Sequence, residues 1–130
     1  MACHADWVAI SVLIVDDNGS LLDAARVLLE REGLSVVGVA STGAEALRRA
    51  EELSPDVLLV DITLGRESGF ELTRRLVEDG RGKRSAVILI STHSEADFAD
   101  LIAESQAIGF VPKSELSAEA IRRILDRGSR

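Results

Sequence analysis

Val57-Leu58-Leu59-Val60 is four apolar residues in succession that run straight into a carboxylate, Asp61. A short, wholly apolar run bounded by turn residues fits a strand buried on both faces, as in a parallel sheet covered by helices. Similar runs recur at Val12-Leu13-Ile14-Val15, Val36-Val37-Gly38-Val39-Ala40 and Ala86-Val87-Ile88-Leu89-Ile90, with a shorter one at Ile108-Gly109-Phe110-Val111. Asp61 alone could be a loop or helix cap, a frequent use of aspartate. An acid at the carboxyl end of such a strand also stands where open α/β sheets bind ligands.

Between the runs the period changes to that of helices. From Ser20 to about Glu32, Leu21, Ala25 and Leu28, and likewise Leu22, Ala25 and Leu29, share a face, and Gly33 is a stop signal. Ser41 or Thr42 caps a second helix, with Glu45 placed as in a capping box. Its inner face is Ala46, Leu47, Ala50 and Leu53, and Ser54-Pro55 ends it. Ser68-Gly69 leads into a third helix turning Phe70, Thr73, Leu76 and Val77 inward, followed by a polar loop from Asp79 to Lys83. A short fourth helix, Glu95 to Ser105, carries Phe98, Leu101 and Ile102 on one face. The last, about Leu116 to Asp126, presents Leu116, Ala120, Ile121, Ile124 and Leu125 together, with Arg122, Arg123 and Arg127 suiting the negative end of its dipole. Gly38 marks a weak point in the second strand or a site of close packing.

Five strands alternating with five helices predict an α/β fold: a doubly wound five-stranded parallel sheet of order 2-1-3-4-5, flavodoxin-like (βα)5. One domain spans 11–127 behind an N-terminal extension, 1–10, and 130 residues suffice for a real core. Only 3% of residues are aromatic, so that core is aliphatic. In this order strands one and three are neighbours at the switch point. Asp16 and Asp17, which end strand one, then converge with Asp61 on one crevice.

Charge and composition exclude several roles. With 15 basic against 22 acidic residues the net charge is −7, which argues against direct grip on nucleic acid or an anionic membrane. No apolar run approaches the roughly 20 residues of a bilayer span. The first residues lack the basic region and apolar core of a secretory signal, so a cytoplasmic protein is expected. Cys3 is the single cysteine and forms no internal disulfide. Cys3, His4 and Asp6 read as a terminal segment rather than a metal site.

Three close carboxylates repel one another unless a cation joins them. Oxygen ligands completed by water suit Mg2+ better than a soft metal. One of Asp16 and Asp17 is expected to help cap the first helix, yet three acids exceed what capping needs. Ser91 after strand four and Lys113 after strand five add a hydroxyl and a cation to the same row of strand ends. Singly these are a turn residue and a solvated charge; together they suit an anion forming on Asp61.

These residues carry a resemblance. Val15-Asp16-Asp17, Val60-Asp61, Ile90-Ser91 and Gly109-Phe110-Val111-Pro112-Lys113, in that order and with the right element between each pair, are similar to the receiver domain of bacterial two-component response regulators, the CheY-like superfamily. The likeness runs from about Ser11 to Asp126. It implies that Asp61 accepts a phosphoryl group from a histidine kinase or phosphotransfer protein, forming an acyl phosphate. It implies Mg2+ held by the side chains of Asp17 and Asp61 and the carbonyl of Thr63, with Asp16 acting through water. Lys113 would pair with phosphoryl oxygens and Ser91 would donate to one of them. Phe110 would be the aromatic switch that turns inward, and the surface of helix four, strand five and helix five would carry the signal to an effector or to a second copy. Such a chain is a signalling switch, catalysing only its own phosphorylation and dephosphorylation.

The pattern departs at Gly65, where relatives often carry proline, and it places hydroxyls at Thr63 and Thr92, expected to flank the phosphoryl group and tune its lifetime. A haloacid-dehalogenase-like phosphohydrolase would want Asp-x-Asp after strand one, and a flavodoxin would want a phosphate loop where Asp16-Asp17 would repel phosphate. A receiver-shaped module without phosphorylation is disfavoured because acid, hydroxyl and lysine are all present. With no effector domain after the last helix, a stand-alone regulator and a fragment of a longer one both fit.

Overall fold

The computed structural model describes residues 9–78 and 85–128. The polar loop expected from Asp79 to Lys83, most of the N-terminal extension and the Cys3, His4 and Asp6 group lie outside them. Five strands form the sheet: β1 (Ser11–Val15), β2 (Ser35–Ala40), β3 (Val57–Asp61), β4 (Ala86–Ser91) and β5 (Gly109–Pro112). Their order is β2-β1-β3-β4-β5 and every pairing is parallel, which is the doubly wound arrangement expected. The crossovers are α1 (Gly19–Arg31), α2 (Gly43–Leu53), α3 (Gly69–Glu78) and α4 (Ala99–Glu104), and α5 (Ala118–Gly128) follows β5.

Period-two alternation along each strand divides the core between the two faces. Val12, Ile14, Val57, Leu59, Ile88 and Ile90 pack with Leu22, Ala25 and Leu29 of α1 and Ile121 and Ile124 of α5. Leu13, Val15, Leu58, Val60, Val87 and Leu89 pack with Ala46, Leu47 and Ala50 of α2 and Leu72 and Leu76 of α3. Each fully buried Leu or Ile is worth about 1.5–3 kcal/mol over exposure, so the central strands anchor the fold. No helix among the described residues is long and apolar enough to cross a membrane.

Several local expectations change. Asn18, not Asp16 or Asp17, caps α1, accepting from Leu21 N–H at 3.2 Å. The capping pair of α2 is shifted by one residue: Thr42 Oγ1 accepts from Glu45 N–H, but Glu45 Oε1 accepts from Ser41 N–H rather than from Thr42. Leu53 is 38% exposed, yet it lies over Gly38, where a Cβ would stand 3.0 Å from its Cδ1. The register there slips, Val12 pairing Val36 and Leu13 pairing Gly38, so Gly38 is a close-packing site beside an irregularity. The fourth helix begins as a 3-10 turn, Glu95–Phe98, and leaves Leu101 half exposed. Leu116 precedes α5 but remains buried.

The segment after Asp61 is not a plain loop. Thr63–Leu64 and Glu67–Ser68 form a two-stranded antiparallel ribbon, Thr63 opposite Ser68 and Leu64 opposite Glu67. Gly65 makes the turn at φ 60°, a left-handed conformation proline cannot take, which accounts for glycine at this position.

Candidate functional site

The ends of β1, β3 and β5 meet at one edge of the sheet. Asp16 follows β1, its own N–H donating to Ala40 O at 3.0 Å, and its side chain is fully buried. Asp61 is the last residue of β3 and is buried; Asp17 is exposed beside them. One carboxylate oxygen from each of the three lies within 4.8 Å of the others. Lys113, which opens the 3-10 turn after β5, places Nζ 2.6 Å from Asp16 Oδ2 and 3.2 Å from Asp61 Oδ2. With its side chain only 13% exposed, the ammonium is largely committed to these two acids.

Asp61 Oδ1 accepts from Thr63 N–H at 3.1 Å and Oδ2 accepts from Lys113. Asp16 Oδ1 accepts from Asn18 N–H at 2.8 Å. Asp16 Oδ2 is buried in the 2.6 Å ion pair with Nζ and has no other hydrogen-bond partner among the described residues. Burial, then the charge of Asp16, holds the Asp61 carboxyl above its ordinary value; Lys113 and the Thr63 N–H offset part of this. Burial works against the charged form of Lys113, but Asp16 and Asp61 outweigh it and its pKa is raised.

These directions predict pH dependence. A carboxyl raised in the fold contributes stability that is full below its unfolded value and is lost as pH rises through the folded value. Asp61→Asn is therefore expected to raise the urea midpoint of the metal-free protein at neutral pH, the advantage closing below about pH 4. Equal midpoints for the two proteins at pH 7 in chelator would refute it. Lys113 acts at the other end: its contribution holds below the ordinary lysine value and is lost as pH rises through the raised one.

A buried carboxylate at Asp16 paired with the Lys113 ammonium, an exposed acid at Asp17 and a converging third at Asp61 make an all-oxygen donor set that fits a hard divalent cation such as Mg2+. A ligand that binds only the folded state stabilises it by about 2.7 kcal/mol at a hundred times its Kd. Saturating Mg2+ is expected to add stability of that order, and Asp17→Asn to remove most of the gain. An unchanged denaturation midpoint with Mg2+ would exclude the site.

The other predicted positions lie on or after β4, on β5 and in the segment after β3. Ser91 ends β4 and is 2% exposed, but its hydroxyl accepts from His93 N–H at 3.0 Å. Thr63 is tied to Asp61 through its N–H, as above. Thr92 is exposed. Phe110 packs inward, 9% exposed, with Leu89 and Val87 and with Phe98 and Ile102 of the fourth-helix segment alongside. No described peptide bond is cis, those flanking Pro112 included. Two contributors carried little sequence signal. Asn18 takes over the cap of α1, which leaves Asp16 and Asp17 to the cluster. Gly69 brings α3 against β3, its N–H donating to Ile62 O at 2.7 Å.

Known proteins share this fold and match most of the sequence. The sequence model of the response regulator receiver domain matches residues 12–126. The response regulator GacA of Pseudomonas viridiflava is 34% identical over 116 residues, 88% of this chain and 53% of that one. A protein-glutamate methylesterase/protein-glutamine glutaminase of Myxococcus xanthus is 36% identical over 120 residues, 92% of this chain and 34% of that one. Among solved structures, a two-component response regulator of the LuxR family from Aurantimonas superposes with a TM-score of 0.76 at 30% identity, covering 94% of this chain and 86% of that one. The chain spans about half the length of the first curated relatives it matches. On its fold, its acid cluster and this match, the chain belongs to the response regulator receiver domain family of two-component signalling proteins.

Proposed function

We propose that this chain is a phosphorylation switch in which Asp61 takes a phosphoryl group from the phosphohistidine of a sensor kinase or phosphotransfer protein. The observation that carries the reading is the position of Lys113 Nζ, bridging Asp16 and Asp61 beside a third carboxylate. An Asp61 oxygen attacks phosphorus in line; the P–N bond of the donor breaks as the P–O bond forms, and the imidazole leaves with the electron pair. Lys113 turns from the carboxylate pair toward the new phosphoryl oxygens. Mg2+, held by Asp17, Asp61 and the Thr63 carbonyl with Asp16 acting through water, would neutralise charge on the phosphoryl group.

Ser91, whose oxygen accepts from His93 N–H, keeps its own O–H to donate to that group as it moves toward it. The equilibrium shifts only by the difference between these interactions, of order a few kcal/mol. Because Phe110 already lies inside, the movement falls chiefly to Ser91 and the exposed residues after it. The altered surface on α4, β5 and α5 would be read by an effector or a second copy, in the cytoplasm. Turnover is limited to its own phosphoryl group, with residues 11–127 as the working unit. Thr92 would shield the acyl phosphate from water, so Thr92→Ala is expected to shorten its lifetime roughly threefold, followed by intact mass over time; an unchanged decay rate would remove this role.

The decisive experiment is incubation with acetyl phosphate or phosphoramidate and Mg2+, followed by intact mass. One phosphoryl addition that disappears in Asp61→Asn is expected. No addition from either donor, or addition that survives Asp61→Asn, would overturn the proposal.

A further inference from the structure

The ribbon after Asp61 has two residues on each side, and a ladder that short does not hold itself together in water. One side is anchored by Leu64, which is 1% exposed in the core. The other is anchored by Glu67: its Oε1 accepts from the N–H of Gly43, the first residue of α2, at 3.0 Å and across 24 positions of sequence. A carboxylate there gains from the positive end of the helix and from a charge-assisted bond. Gly43 is shaped for it, because a Cβ at that position would sit 2.2 Å from Glu67 Oε1.

The ribbon in turn touches the acid cluster. Thr63 N–H bonds Asp61 Oδ1, and a Cβ on Gly65 would lie 3.7 Å from Asp17 Oδ2. Glu67 opposes Leu64, the neighbour of Thr63, in the ladder. We propose that Glu67 is a positioning residue: by bonding Gly43 it fixes the ribbon against α2 and so holds the Thr63 backbone and the Gly65 turn in place beside Asp61 and Asp17. The role in metal binding rests on the function proposed above; the brace itself does not.

Two measurements on the intact chain test this. Hydrogen exchange of a peptide covering 63–69 is expected to quicken about fivefold or more in Glu67→Ala and to stay near wild type in Glu67→Gln, which keeps the acceptor oxygen. Mg2+ affinity by calorimetry should weaken about tenfold in Glu67→Ala and be restored within about twofold by Glu67→Gln, as for groups that orient metal ligands. A merely structural contact would not move the affinity. Exchange unchanged in Glu67→Ala would overturn the brace, and so would a Gln variant as impaired as the Ala one. Quickened exchange with unchanged affinity would overturn the positioning role. If the wild-type chain binds no Mg2+ and takes no phosphoryl group, the functional reading fails and the positioning role falls with it, while the exchange result still decides the brace.

Discussion

Lys113→Ala is expected to cost the metal-free protein about 3 kcal/mol at neutral pH, the lower end of what removing one partner of a buried ion pair costs. The lower end applies because the Lys113 side chain keeps 13% of its exposure. Without the ammonium, Asp16 is left fully buried with one oxygen bonded to Asn18 N–H and the other facing Asp61 and Asp17 unopposed. The variant should then lean on Mg2+ more heavily than wild type, since the ion would become the main positive charge among the three acids. Urea unfolding with chelator and with Mg2+ checks both parts. A metal-free variant within about 0.5 kcal/mol of wild type, the size of an ordinary surface change, would show that the lysine does not offset the acids.

Gly69→Ala should cost about 2–3 kcal/mol, the upper part of the range for overpacking a tight interior, although alanine is the better helix former. A Cβ at Gly69 would stand 2.2 Å from Asp61 O, 2.8 Å from Ile62 Cα and 2.9 Å from Asp61 C. All three are backbone atoms, and that backbone is held: Ile62 N–H donates to Ile90 O at 2.9 Å, and Gly69 N–H itself closes on Ile62 O. Relief requires α3 to move off β3 or the end of β3 to shift, and the second displaces Asp61. Loss of stability should therefore come with weaker Mg2+ binding. Gly19→Ala is the control, at the first residue of α1 with nothing within 4 Å of the added carbon. It should be neutral or stabilising by up to about 1 kcal/mol. Equal urea midpoints for Gly69→Ala and wild type would contradict the close approach.

Much of the fold was legible because its signals are local. Runs such as Leu58-Leu59-Val60 have no polar residue to show water, so they must be buried on both faces; that identifies a parallel sheet before any contact is known. Helices were legible where their apolar stripe was long. They blurred in the fourth, where a 3-10 turn and six residues of α-helix leave too few positions to define a face, and Leu101 points out. The ribbon at Thr63–Ser68 had one local clue, Gly65, but pairs of this length are stabilised by partners far away in sequence.

The strand-end residues Asp16, Asp17, Asp61, Ser91 and Lys113 were determined by sequence, because alternating strands and helices deliver every strand's carboxyl end to the same edge. Tertiary structure decided what those residues do to one another. It put Lys113 Nζ between Asp16 and Asp61, buried Asp16 Oδ2 in that ion pair with no other hydrogen-bond partner among the described residues, and turned the Ser91 hydroxyl toward His93 N–H. It also assigned the α1 cap to Asn18, admitted Glu67 through the missing side chain of Gly43, and set Gly69 against the carbonyl of Asp61. The reason is one of range: periodicity and capping act over a few residues, whereas charge pairing and close packing depend on atoms that only the folded chain brings within a few ångströms.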